Sequence, residues 1–297
     1  GYAAAIRGGQ LGLDVTLVEA DAYGGTCLNE GCIPSKALIH ASGLAHAVEH
    51  AESMGIHARA DVDLRGLVAW KDGVVDRLTG GVERLCEASG VNLIEGRAEF
   101  VDGNTARVAH GGEGQGSESV EFERAVVATG SRPIELPGFE VDGERILDSS
   151  DALSLEALPE SLCVVGGGYI GMELSTAFAK LGADVTVVEA LDDVLPGYGD
   201  DMTAIVRDRA EELGIEFRRG EAAQGWAEAG DGARVTTETG AGETNSYTAE
   251  RVLVAVGREP AADTCNLEAV GIEPSEDGSI ETDDATRTAA EGVHAVG

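Results

Sequence analysis

Lysine is nearly missing from this 297-residue sequence, occurring only as Lys36, Lys71 and Lys180. Cationic contacts therefore fall to arginine, and 21 basic against 54 acidic residues leave a formal charge of −33 at pH 7. So negative a chain excludes nucleic acid as a partner, because phosphate binding needs clustered Lys and Arg. The acids are dispersed instead of forming a tail, so they repel one another at ordinary ionic strength. Concentrated salt, with a Debye length of about 3 Å at 1 M, screens that repulsion, and a salt-loving source organism is the expectation. Aromatic residues are also scarce, at 4%, while glycine reaches 42 residues, a balance that favours a loop-rich α/β protein. No apolar run approaches the ~20 residues of a membrane span, and the first residues show neither a charged n-region nor a cleavage site. A soluble, cytoplasmic protein with no membrane partner is expected. The five cysteines, an odd number, do not describe a secreted disulfide framework. What the sequence does have is 43% hydrophobic content, enough at this length for two ordinary domain cores.

The segment LGLDVTLVEA, Leu11 to Ala20, recurs as LGADVTVVEA, Leu181 to Ala190, with eight of ten positions identical. Upstream of the second copy lie a short apolar strand, Leu162 to Val165, the turn Gly166-Gly167-Gly168-Tyr169-Ile170-Gly171, and a helical stretch to Lys180. Strand, glycine turn, helix and strand in that order, with Glu189 about 20 residues on, form a dinucleotide-binding fingerprint. Gly166 makes the tight turn, Gly168 admits a pyrophosphate, and Gly171 allows close helix packing. Glu189 accepts hydrogen bonds from the adenosine ribose. It repels a 2′-phosphate, and Ala190 to Pro196 holds no arginine to neutralise one, so NAD is expected over NADP. Gly171 precedes Glu189 by 18 positions, and Gly1 precedes Glu19 by the same 18. Gly1 thus matches the last glycine of a second fingerprint, and the sequence is expected to begin inside a βαβ unit whose first strand is missing. Two such sites imply two nucleotide cofactors exchanging electrons.

Between the repeats stands GGTCLNEGCIPSK, Gly24 to Lys36, with Cys27 and Cys32 separated by four residues. A disulfide across so small a loop would restrict little chain entropy, so its value would be chemical. Ile33 to Ala51 is expected to form a helix with Pro34 in its first turn, placing Cys32 at the positive end, where a thiolate is favoured. A structural disulfide and a pair of metal ligands remain as alternatives at this point. Cys86, Cys163 and Cys265 are expected as small apolar fillers. The six histidines show no metal-ligand spacing, and no metal is expected.

GGTCLNEGCIPSKAL resembles the redox-active motif of the class I pyridine nucleotide-disulfide oxidoreductases, in particular those members that oxidise dihydrolipoamide. The resemblance runs the length of the chain, through Ala128-Thr129-Gly130-Ser131-Arg132-Pro133, the glycine turn with Glu173 behind it, and Val256-Gly257-Arg258-Glu259-Pro260. It implies an α/β chain of two Rossmann-like domains, for FAD and NAD, with a C-terminal dimerisation domain missing. The FAD domain is expected over residues 1–151 and again over 261–297, and the NAD domain over 152–260. Cys27 is implied as the interchange thiol and Cys32 as the thiolate against the flavin, with Lys36 and Glu173 an ion pair beside flavin N5. Gly1, Glu19, Gly24, Gly25, Thr26, Lys36, Ala98, Thr129, Gly130 and Ser131 are implied on the FAD side. Gly166, Gly167, Gly168, Tyr169, Ile170, Gly171 and Glu189 are implied on the NAD side, with Gly257 and Arg258 as further cofactor contacts.

The implied reaction is oxidation of dihydrolipoamide to lipoamide with reduction of NAD+, served by the lipoyl domain of a 2-oxoacid dehydrogenase complex or of a glycine cleavage system. A homodimer is implied for the full-length protein. Glutathione or mercuric reductase-like activity, or a non-catalytic flavin- or nucleotide-binding module, are the alternatives. The last residues, Gly292 to Gly297, resemble a second FAD motif stopped one residue before its aspartate. The acid-base histidine and glutamate of the family would lie beyond, so the 297-residue chain alone is expected to be inactive. Strands are expected near Leu162, Val185, Ile215, Val235 and Val252, at VNLIEGRAEFV and at Ala125 to Ala128. A helix is expected over Val62 to Ala88, and a polar turn at Gly111 to Ser119.

Overall fold

The computed structural model describes residues 1–111 and 116–297. Their contacts form two compact units, one of Gly1–Asn29, Val75–Arg132 and Arg258–Gly297, the other of Glu30–Val74 and Pro133–Gly257.

The second unit is built on a five-stranded parallel sheet in the order Glu216–Arg219, Asp184–Glu189, Ser161–Val165, Arg251–Val254 and Ile146–Leu147. Its three central strands are rich in Val and Leu because both faces are covered. Side chains alternate between the faces with the period of a strand. Leu162, Val164, Val185, Val187 and Leu253 meet helix residues such as Leu38, Leu174 and Phe178. Cys163, Val165, Val188, Val252 and Val254 meet Ala233, Val235 and Ala249 of an antiparallel sheet. That second sheet, Glu221–Ala229, Gly232–Thr239 and Thr244–Ala249, contains the strand expected near Val235, flanked by two strands that the sequence reading did not resolve.

The glycine turn leads into the helix Tyr169–Leu181, which stops where Gly182 adopts φ +107°, a conformation open to glycine at little cost. In the first unit the repeat does the same: the helix Tyr2–Gln10 is followed by Gly12 at φ +79° and the strand Val15–Glu19. That strand pairs in parallel with Val91–Glu95, and Ala125–Val127 pairs in parallel with Val293–Ala295. VNLIEGRAEFV is two strands, not one. Gly96, at φ +159°, breaks it, giving its N–H to the Glu19 carbonyl at 2.8 Å and redirecting Arg97–Asp102 into an antiparallel sheet. The expected turn at Gly111 to Ser119 is narrower than its polar composition suggested. Ser117–Glu121 is already strand, with Ser117 paired to Ala109, and residues 112–115 lie outside the described residues.

The helix Cys32–Glu49 packs on Tyr169–Leu181 through Leu38, Leu174 and Phe178, with Ser42 and Ser175 fully buried. Among the described residues, no helix is long and apolar enough to cross a membrane.

Candidate functional site

The glycine turn in the second unit divides its residues between packing and opening. Gly166 has φ +108°, and a Cβ there would stand 2.4 Å from the Ala255 carbonyl oxygen. A Cβ on Gly171 would stand 2.0 Å from the Gly166 carbonyl oxygen, and Gly167 is buried against Val194 and Glu189. Gly168 differs: its φ is −70° and a Cβ would meet nothing within 4 Å. It is the N-cap of Tyr169–Leu181 with no side-chain cap, so the first-turn amides face open space, a ready seat for an anion. Tyr169 is exposed and Ile170 half-buried in that turn. Glu189 closes the neighbouring strand and is buried; its Oε2 accepts from the Gly167 N–H at 2.7 Å and its Oε1 from the Leu191 N–H at 2.8 Å. Both oxygens are thereby aimed, and each keeps a lone pair for a ribose hydroxyl.

Cys27 lies in the short helix Thr26–Asn29, and Cys32 is the first residue of the helix Cys32–Glu49; the two form a disulfide at exposed positions. Gly24 and Gly25, at φ +125° and +76°, make the approach to Cys27. Asn29 stands between the cysteines. Its amide donates to the carbonyls of Ala22 at 3.0 Å and Gly25 at 3.2 Å, and its oxygen accepts from the Thr79 hydroxyl at 2.8 Å. The Cys32 helix has no side-chain cap at Gly31, and Pro34 sits in its first turn where no N–H partner is needed. One turn in, Lys36 Nζ donates to Glu173 Oε1 at 2.6 Å, and the buried Ser35 hydroxyl donates to Glu173 Oε2 at 3.2 Å. Glu173 belongs to the helix that starts at the glycine turn, so one carboxylate ties the disulfide's helix to the nucleotide turn's helix.

The first unit gathers its own set. Gly1 caps Tyr2–Gln10 without a side-chain cap, and a Cβ on it would lie 3.4 Å from the Ala128 side chain. A Cβ on Gly130, at φ +71°, would lie 3.6 Å from Thr26 Oγ1, beside the exposed Thr129. Arg258 donates from Nε to Ser131 Oγ at 2.9 Å and from Nη2 to the Ser131 carbonyl at 2.6 Å. Glu19 ends its strand with Oε1 accepting from the Ala20 and Asp21 amides at 2.9 and 3.1 Å. Ala98 lies farther along, half-buried opposite Val108, while in the second unit the carbonyl of Gly257, at φ +132°, accepts the Ile134 N–H at 3.1 Å. An uncapped helix start, a strand-end carboxylate and a side-chain-free turn at Gly130 fit a second nucleotide.

Asn29, Ser35 and Asp193 escaped the sequence reading. An Asn between two turn glycines was a signal for Asn29, since its amide so often organises local backbone. Nothing local marked Ser35 or Asp193, whose charged partners Glu173, Arg207 and Arg219 come from other elements. Cys86, Cys163 and Cys265 are free and buried, as expected of fillers, and burial pushes the Cys163 thiol up to about 12. Among the described residues, no group of three or more His, Cys, Asp or Glu could hold a metal ion.

An exposed disulfide closing a short loop, and in each unit a glycine turn that opens an uncapped helix, are features of disulfide oxidoreductases that bind nucleotides. Residues 1–297 match the pyridine nucleotide-disulphide oxidoreductase family, and the chain belongs to that family, whose members use FAD and NAD. It is 66% identical over 297 residues to dihydrolipoyl dehydrogenase 2 of Haloarcula marismortui and 47% identical over 298 residues to dihydrolipoyl dehydrogenase of Geobacillus stearothermophilus. All of this chain is covered in both cases, but only 63% and 62% of those proteins, so the chain spans under two thirds of the curated relatives it matches. Among solved structures it resembles LpdA of Mycobacterium tuberculosis with a TM-score of 0.91 and 30% identity, over 100% of this chain and 65% of that one. The haloarchaeal relatives fit the salt-loving origin expected from the charge.

Proposed function

We propose that this chain carries the redox disulfide and both nucleotide sites of a dihydrolipoyl dehydrogenase. Residues 1–151 and 261–297 serve FAD, and residues 152–260 serve NAD. The observation that carries this reading is the exposed Cys27–Cys32 disulfide at an uncapped helix start, one turn from the Lys36–Glu173 pair.

A substrate thiolate attacks Cys27 sulfur, forming a mixed disulfide and releasing Cys32 as a thiolate. The second substrate thiol then displaces Cys27, closing the lipoamide ring and leaving two reduced cysteines. The positive end of the Cys32 helix stabilises the departing thiolate. When bound, FAD and NAD+ would supply the acceptors for the electron pair that Cys27 and Cys32 give up as their disulfide re-forms. Lys36, held by Glu173, would supply a cation to a bound flavin, and the Gly1 turn with Thr26, Thr129 and Gly130 would bind the FAD dinucleotide. The Gly168 amide face binds the NAD pyrophosphate, and Glu189 orients its ribose. The partners are a lipoyl domain and, for the full-length protein, a second copy of itself. The identity to dihydrolipoyl dehydrogenases of three haloarchaea supports the choice of substrate.

The test uses full-length protein in molar salt, assayed with dihydrolipoamide and NAD+ and, separately, with glutathione disulfide and NADPH. Turnover with the first pair alone, abolished in both Cys27→Ser and Cys32→Ser, is the expected result. Activity with only the second pair, or either serine variant at wild-type rate, overturns the reading.

A further inference from the structure

The strand Glu216–Arg219 runs parallel to Asp184–Glu189, with Glu189 and Arg219 as Cα partners. A guanidinium therefore arises beside the ribose acid from another strand, although Ala190 to Pro196 contains no arginine. Arg219 is turned away: its Nη1 donates to the Asp192 carbonyl and to Asp193 Oδ1, both at 3.3 Å. Asp193 Oδ2 also takes Arg207 Nη1 at 2.6 Å, and its Oδ1 accepts the Val194 N–H at 2.9 Å. Val194 is buried on Gly167, and Leu195, at φ +56°, gives its N–H to the Gly167 carbonyl at 2.8 Å. One carboxylate thus shapes the loop after Glu189 and engages both Arg207 and Arg219.

We propose that Asp193 is a specificity-determining positioning residue that withholds Arg219 from the 2′-phosphate of NADP, so that Glu189 alone confronts the adenosine ribose. A 2′-phosphate would bring about two negative charges to a carboxylate, and its natural counter-ion is already neutralised. The preference for NAD then has two layers, repulsion by Glu189 and sequestration of Arg219 by Asp193. This rests on the nucleotide reading proposed above, and the experiment separates the two.

Binding of 5′-AMP and of adenosine 2′,5′-bisphosphate to full-length protein in molar salt is measured by calorimetry, with NAD+ and NADP+ alongside. Asp193→Asn keeps the side chain's shape and an acceptor for the Val194 N–H while removing its charge. It raises the affinity for the bisphosphate relative to 5′-AMP at least about tenfold, the scale of one hydrogen bond to a charged group. The gain disappears in the double variant D193N/R219M. Arg219→Met alone, which leaves Asp193 intact, keeps the wild-type ratio because the arginine was already withheld. An unchanged ratio in D193N, an equal loss for both ligands, or a drop in bisphosphate affinity in R219M overturns the role of Asp193 while leaving the NAD site standing. Wild-type protein that binds neither 5′-AMP nor NAD+ overturns the nucleotide reading, and this inference with it.

Discussion

Gly168→Ala and Gly171→Ala add the same methyl group three residues apart, yet the structure assigns them opposite consequences. At Gly171 the new Cβ would be 2.0 Å from the Gly166 carbonyl oxygen and 3.3 Å from a Val164 methyl, so helix and strand must separate. Overpacking of this kind costs about 1–3 kcal/mol, and a backbone obstacle belongs at the upper end. At Gly168 the Cβ meets no protein atom within 4 Å and φ is −70°, which alanine adopts freely. The remaining cost is the poorer N-cap, at most about 1 kcal/mol. If the open face of Gly168 seats a pyrophosphate, however, the methyl group displaces it from amides whose charge-assisted bonds are worth about 1.5–3 kcal/mol, a loss of ten- to a hundredfold in affinity. Thermal unfolding and NADH titration on full-length protein in molar salt separate the cases. G168A should melt close to wild type and bind NADH weakly, while G171A should melt several degrees lower. G168A with wild-type NADH affinity would refute the placement of the pyrophosphate, and G171A with wild-type stability would refute the packing argument.

Native protein should show no rapidly reacting thiol, two after mild reduction, and five only after denaturation with reductant, because Cys86, Cys163 and Cys265 are buried and Cys163 is pushed up to about 12. A thiol titration checks this, and fast labelling of Cys163 in the native state would contradict it. Glu173→Gln should cost about 1 kcal/mol or less in stability, since the Lys36 side chain is 58% exposed, yet should slow dihydrolipoamide turnover at least tenfold. Equal losses in melting temperature and rate would mark the pair as merely structural. Phe178→Ala, at a site 1% exposed between sheet and helix, should cost about 3–5 kcal/mol by denaturant unfolding. Burial works against ionisation of Asp193, but Arg207, the Val194 N–H and Arg219 hold its carboxyl below the usual range. Its contribution to stability is therefore complete above about pH 4 and is lost as pH falls through the lowered value. The acid side of the stability–pH curve should flatten in D193N.

The repeat and the cysteine motif were legible because each is a local pattern whose physics is local. Gly12 and Gly182 stop their helices by their own φ, and the alternation of Leu162 and Val164 with Cys163 and Val165 needs only a sheet covered on both faces. VNLIEGRAEFV reads as strand throughout because strand propensity continues through Gly96, whereas the break there depends on a contact with Glu19 from distant sequence. The same limit hid the arginine beside Glu189. A seven-residue window could show only that none followed in sequence, while the parallel register that brings Arg219 alongside is a property of the sheet.

Lys36 shows how a side chain that composition would place on a helix surface acquires a specific setting. The Cys32 helix could in principle rotate or slide on its neighbour, since Leu38, Leu174 and Phe178 supply area without direction. Two features remove that freedom. Ser42 and Ser175 are fully buried small residues that let the helices approach closely, and the Glu173 carboxylate engages Ser35 and Lys36 through its two oxygens at once. A two-point contact fixes rotation as well as distance, which an ion pair alone would not. Glu173 also lies on the helix whose start is the Gly168 turn, so the same contact links that helix to the first turn after Cys32. Ser35→Ala therefore separates orientation from charge. It should leave the Lys36–Glu173 pair and the melting temperature nearly intact, yet broaden the positions Lys36 adopts and lower the rate of Cys27–Cys32 reduction by dihydrolipoamide several-fold in rapid-mixing experiments. A reduction rate unchanged in Ser35→Ala would mean that the ion pair alone sets the geometry.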